Sequence, residues 1–195
     1  NNTPEHSDEA IRGLRDARLR GVYCFGNPNT SLADWWYTST LKSPDDIRRV
    51  RDQYFSSDDG LLTLAMGARG PGFCTEEVVR HEWELAKELG LNITVHVAMY
   101  RFGYTKMQLT KLKEMDLLFP NTTYIHSSHL LDDEWAMVRD SGSNVSYAPQ
   151  IELQMGYGWA QAVTARDYGV PIGLSSDVAT TASSKAMKRR CARRP

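Results

Sequence analysis

At 195 residues, with 41% hydrophobic side chains, 24% charged side chains and a net charge of −1, the chain has the size and composition of one globular domain. The balanced charge gives no electrostatic case for a nucleic-acid or membrane partner, no apolar run approaches the roughly 20 residues of a membrane span, and no signal-peptide pattern opens the chain. Three cysteines, Cys24, Cys74 and Cys191, are an odd number without metal-ligand spacing, which points to a reducing compartment, by default the cytoplasm, rather than to a disulfide framework.

In chain order, Asn1 to His6 reads as a loop, and Ser7 as a helix N-cap ahead of Asp8 and Glu9. Ile11, Leu14, Ala17 and Leu19 are loosely helical in spacing, and Gly21-Val-Tyr-Cys-Phe25 is a buried-strand candidate. Pro28 to Ser43, with Asp34-Trp-Trp-Tyr37 inside it, shows no regular period and reads as a long loop. Pro44, Asp45 and Asp46 open a helix that Tyr54 and Phe55 close, and Leu61 to Met66 is the next strand. Thr75-Glu-Glu77 starts a helix stopped at Gly90, the Ile93–Val97 strand follows, and a helix spans about Lys106 to Leu118. Thr123–His126 is a strand, Asp132 opens a helix ending at Gly142, Val145–Tyr147 is a short strand, Trp159–Tyr168 a helix, and Pro171–Asp177 the last strand.

Three of these strands deliver a metal-ligand residue type at or near their C-terminal ends: His96, His126 and Asp177. Strands joined by crossover helices run parallel, so the three gather at one rim, and two imidazoles with a carboxylate are a metal site in outline. Six β/α units in one direction make either an open doubly wound sheet or most of a β/α barrel. The dinucleotide fingerprint is absent, because Gly67-Ala-Arg-Gly-Pro-Gly72 lacks its spacing.

Four pieces, in order, carry a family resemblance: Leu85-Ala-Lys-Glu-Leu-Gly-Leu-Asn-Ile-Thr-Val-His96, Tyr124-Ile-His-Ser-Ser-His-Leu-Leu-Asp-Asp-Glu134, Ser143-Asn-Val-Ser-Tyr-Ala-Pro-Gln-Ile-Glu-Leu-Gln-Met-Gly156 and Val170-Pro-Ile-Gly-Leu-Ser-Ser-Asp177. The chain resembles the metal-dependent amidohydrolase superfamily, in the branch of cytosine deaminases, adenosine-type nucleoside deaminases and triazine hydrolases. The resemblance implies a partial TIM-type (β/α)8 barrel over residues 1–184, with barrel strands three to eight present and strands one and two missing. It implies hydrolysis of a carbon-nitrogen bond, other than a peptide bond, in a small molecule. His96 would be the strand-five metal ligand, and His126 the strand-six histidine, which meets the water or substrate, or a second ion. Asp177 would be the strand-eight ligand and general base. The implied cofactor is one divalent metal, Zn²⁺. A divalent ion with an open position lowers the pKa of its bound water toward about 7, and a neighbouring carboxylate can take the remaining proton.

The departures define the alternative. The family's first-strand His-x-His pair does not occur in this sequence, so the expectation is an N-terminally truncated chain whose site is incomplete, and the rival reading is a catalytically inactive truncated barrel. The glutamate that deaminases place three residues after the strand-five histidine is Met99 here, and strand four offers no lysine to bridge two metals. Glu152 is either a polar substrate contact or a loop salt bridge. His129 either touches substrate or caps the helix opening at Asp132, and Trp36 either packs or walls the substrate. His6 and His81 read as surface or capping residues. Lys185 to Pro195 carries six cations and reads as a disordered basic tail. The partner expected is a small-molecule substrate, with neither nucleic acid nor membrane, and self-association into a homo-oligomer stays open.

Overall fold

The computed structural model describes residues 3–27, 39–100 and 107–177. Trp36 and the 185–195 tail fall outside the described residues. Among those described, no helix is long and apolar enough to cross a membrane.

Among the described residues, six strands form one sheet: β1 Gly21–Gly26, β2 Leu62–Ala68, β3 Asn92–Val97, β4 Thr123–His126, β5 Asn144–Tyr147 and β6 Ile172–Leu174. All neighbours pair in parallel and the spatial order follows the chain order, β1 to β6. A doubly wound sheet would reverse its strand order at a switch point, whereas strictly sequential order is that of a β/α barrel. The barrel reading therefore stands as a six-stranded parallel segment.

The sheet has two unlike faces. Tyr23, Phe25, Leu64, Met66, Ile93, Val95, Val97, Tyr124 and Val145 alternate onto a buried face. Among the described residues, seven helices accompany the strands: α1 Pro4–Asp16, α2 Ile47–Tyr54, α3 Glu76–Glu88, α4 Gln108–Glu114, α5 Asp132–Asp140, α6 Pro149–Gln154 and α7 Ala162–Asp167. The apolar side of α3 (Val78, Val79, Trp83, Leu85, Ala86) packs on β2 and β3 in the core. The other face is a less buried lane in which small and polar side chains, among them Cys24, Gly67, Thr94, His96, Thr123 and Ser146, surround the apolar Ile125. At the two edge strands Val22 on β1 and Leu174 on β6 are more than half exposed, Leu174 although its register places it on the face of Val145.

Several boundaries differ from the sequence reading for local reasons. Helix α1 begins at Pro4 behind an extended Thr3, since proline suits a first turn, so Ser7 is not the cap but a buried residue inside the helix. Its hydroxyl donates to the Thr3 carbonyl. The expected helix at Trp159 starts only at Ala162, because Gly158 has φ +121° and Trp159 lies out in solvent. α6 is an element the sequence reading left out, although Pro149 at its first turn is the signal for it. β6 is three residues long, and Asp177 stands three residues past its end. Helix α5 is capped by its own Glu134, whose Oε2 accepts the Leu131 N–H.

Candidate active site

The C-terminal ends of the strands meet at one rim, and the backbone there is unusual. Ala98 and Tyr100 after β3, His126 and Ser127 at the end of β4, and Asp177 after β6 all have φ between +49° and +71°. Side chains other than glycine occupy this left-handed region at a cost of roughly 1–2 kcal/mol each. At β4 the reason is visible. His126 pairs in register with Val97, and simple alternation would send its ring with Tyr124 toward the helices. A φ of +71° ends the alternation, and the ring stands 5.4 Å, centroid to centroid, from that of His96. Ser127 N–H donates to the Val97 carbonyl at 3.1 Å, the last rung of the β3–β4 ladder.

The two imidazoles differ in setting. His96 projects into the inner lane, half-buried, where burial and then the neighbouring His126 push its pKa down to about 4. His126 is 1% exposed and lies between two carboxylates: Nδ1 is 3.1 Å from Glu152 Oε1, and Nε2 is 3.9 Å from Asp177 Oδ2. Asp177 is partly open to solvent, and Ser175 Oγ accepts its backbone N–H at 2.9 Å. Glu152 is fully buried, so it meets the site through His126 rather than through a solvent-facing surface. Its Oε1 also accepts the Ala148 N–H at 2.7 Å. His129 is half-buried under Gly158, where an added Cβ would lie 2.7 Å from Nε2.

Residues that sequence reasoning did not select complete the rim. Tyr157 sets its ring edge-on to His126 at 4.9 Å and to Tyr100 at 4.7 Å, and Tyr100 N–H donates to the Tyr157 carbonyl. Burial, Tyr100 and the nearby Asp177 push the Tyr157 phenol up to about 12. The Gly156-Tyr157-Gly158 sequence is the signal for it, an aromatic flanked by turn formers next to the β5 piece. At the other side of His96, Arg69 closes the end of β2. Its N–H donates to the buried Glu82 at 2.6 Å, and its guanidinium donates to Ser39 Oγ at 2.6 Å. Ser43 donates to the same carboxylate through both N–H and O–H. Burial pushes the Glu82 carboxyl up, and these donors and Arg69 oppose that rise. A cavity of about 110 Å³, lined by Cys24, Asn27, Gly67, Arg69, Thr94 and His96, opens here onto the inner lane. A wider hollow of about 380 Å³ around Arg15, Tyr54 and Leu61 lies at the opposite end of the strands and holds none of the candidate ligands.

Two imidazole nitrogens and a carboxylate oxygen suit a borderline divalent ion such as zinc in kind. In number they fall short, because no group of three or more His, Cys, Asp or Glu side chains is gathered around one point among the described residues. The donor set thus fits as part of a metal site.

No family model matches the chain. It is 24% identical over 183 residues to a 5-methylthioadenosine/S-adenosylhomocysteine deaminase of Symbiobacterium thermophilum, covering 90% of this chain and 41% of that protein. Its fold is similar to that of guanine deaminase from C. acetobutylicum with bound guanine (TM-score 0.72, 14% identity, 92% of this chain and 45% of the other). It is likewise similar to an adenosine deaminase from Xanthomonas campestris with bound zinc (TM-score 0.71, 16% identity, 90% of this chain and 40% of the other). The chain therefore spans about two fifths of the relatives it matches. In sequence and in fold it resembles the amidohydrolase superfamily.

Proposed function

We propose that this chain carries the C-terminal ligand rim of a metal-dependent hydrolase that cleaves a carbon-nitrogen bond, other than a peptide bond, in a small molecule. The observation that carries the reading is the place of His126 at the end of a sequentially ordered parallel sheet, its ring 5.4 Å from that of His96 and its Nε2 3.9 Å from Asp177 Oδ2. In this reading His96, His126 and Asp177 would each contribute a donor to one divalent metal, Zn²⁺, in a site that these three do not form by themselves and that further ligands from outside the described residues would complete. When bound, the metal supplies a water acidic enough to attack near neutral pH.

The chain's own residues set the rest. His96, held neutral down to about pH 4, keeps a nitrogen lone pair available at any working pH. Asp177 is the one carboxylate of the trio and is partly open to solvent, so it can take the proton of the attacking water and pass it on. Tyr100 and Tyr157 wall the rim with aromatic surface, as a flat heterocycle needs. The relatives named above act on adenosine-type and guanine substrates, which makes aminopurines the first compounds to test. Met99 stands where a proton-shuttling glutamate belongs in the deaminases of the family, so the leaving nitrogen receives its proton from another group.

The test is zinc affinity by titration calorimetry together with ammonia release from 5-methylthioadenosine, S-adenosylhomocysteine and guanine. His96→Ala and Asp177→Asn are each expected to weaken zinc binding at least tenfold and to abolish any ammonia release. Zinc binding that neither substitution changes would overturn the assignment of these residues.

A further inference from the structure

Glu152 is a charged residue with no exposed surface, and the proposed chemistry gives it no step. We propose that it is a positioning residue, fixing the neutral His126 ring as the tautomer protonated on Nδ1, so that Nε2 offers its lone pair to the rim. The inference rests on the reading of His126 as a site residue, and it concerns what sets that ring.

A neutral imidazole has one N–H, and two carboxylates compete for it. Glu152 Oε1 is 3.1 Å from Nδ1, within hydrogen-bond reach, whereas Asp177 Oδ2 is 3.9 Å from Nε2, beyond it. The nearer acceptor takes the proton. Glu152 is also held firmly: the same Oε1 accepts the Ala148 N–H at 2.7 Å, tying the carboxylate to the backbone at the junction of β5 and α6. Its Oε2 has no partner among the described residues, and the buried Tyr147 hydroxyl, whose ionisation burial and then the neighbouring Glu152 oppose, has none either. Within those residues the carboxylate's one side-chain hydrogen bond is the one to His126. A carboxylate behind a ligating imidazole orients the ring and raises its basicity, and loss of such a partner typically weakens metal binding 10–100-fold.

The experiment reads the tautomer in the 195-residue chain without metal. Long-range ¹H–¹⁵N correlation spectra at pH 8 report which ring nitrogen carries the proton, with the His126 signals assigned by their loss in His126→Gln. The wild type is expected to show Nδ1–H. Glu152→Ala is expected to move the proton to Nε2, where Asp177 is the remaining acceptor, and to weaken zinc binding 10–100-fold. Glu152→Gln is expected to keep Nδ1–H, because the Ala148 N–H holds the amide oxygen, not the amide NH₂, at the Oε1 position. An Nε2–H signal in the wild type, or an unchanged tautomer in Glu152→Ala, overturns the proposal. If Glu152→Ala does not fold, Glu152→Gln decides: Nδ1–H supports the proposal and Nε2–H overturns it. A wild type with the expected tautomer that binds no zinc supports this positioning role while removing the metal assignment.

Discussion

Acid sensitivity is where the site makes its firmest quantitative demand. In the unfolded chain His96 takes up a proton near its ordinary pKa of 6.5, whereas in the folded protein it does so only near pH 4. Between those values the unfolded state binds more protons, so stability is present above pH 6.5 and is lost as pH falls through the interval. Each unit of separation corresponds to about 1.4 kcal/mol. The full gap would give about 3 kcal/mol, and the partial exposure of the ring reduces the expectation to about 2 kcal/mol. The perturbation is His96→Asn, which keeps a polar group in the lane but does not titrate. Urea unfolding of both proteins at pH 7, 6, 5 and 4.5 isolates the contribution, because the carboxylates that titrate at the low end are common to both. The wild type should lose about 2 kcal/mol more than the variant between pH 7 and 4.5. Parallel losses would refute the idea that His96 is held neutral by its surroundings.

Two structural predictions concern the frame around the site. Glu134 is 1% exposed and accepts the N–H groups of Leu109, Thr110 and Leu131, serving the first turns of both α4 and α5. Glu134→Ala leaves the buried Leu109 donor without an acceptor and should cost about 2–4 kcal/mol by urea denaturation, with amide exchange accelerated first at Leu109; a cost below 1 kcal/mol would show that water replaces the carboxylate. At Gly70 an added Cβ would lie 2.6 Å from the His96 carbonyl oxygen, so Gly70→Ala forces the two backbones apart, and the end of β3 is expected to move. It should cost about 1–3 kcal/mol in thermal unfolding and displace the His96 ring resonances, and unchanged His96 spectra would show that the loop yields instead.

The sheet was legible in the sequence because its strands are short apolar runs with turn residues on both sides. The Thr123–His126 strand is found where it was expected, and β1 and β3 differ by one residue at an end. Composition alone left open whether those runs form a barrel or a doubly wound sheet, and the register settles it. What could not be read was how His126 is used. Alternation assigns its ring to the helix side, and no local sequence pattern announces that a histidine will adopt a left-handed φ. Glu152 was selected for its position after β5, but its placement behind His126 depends on α6, a six-residue helix too short to show a period.

The distribution of left-handed residues separates ordinary geometry from the geometry of the site. Arg18 and Asp116 are left-handed because each follows the C-cap of a helix, α1 and α4, where this conformation commonly ends a helix. Among the described residues, no helix end accounts for Ala98, His126, Ser127 or Asp177. They lie at or just beyond the ends of β3, β4 and β6, where a parallel strand could continue extended at lower energy. The backbone N–H groups of three of them find acceptors: Ser127 on Val97, Ala98 on Gln108 Oε1 at 2.7 Å, and Asp177 on Ser175. Extended strands would have left His126 beneath the helices and carried Asp177 onward past the rim. The cost of bending the chain at these points is what brings an imidazole nitrogen and a carboxylate oxygen to within 3.9 Å of each other, across two strands that are not neighbours in the sheet.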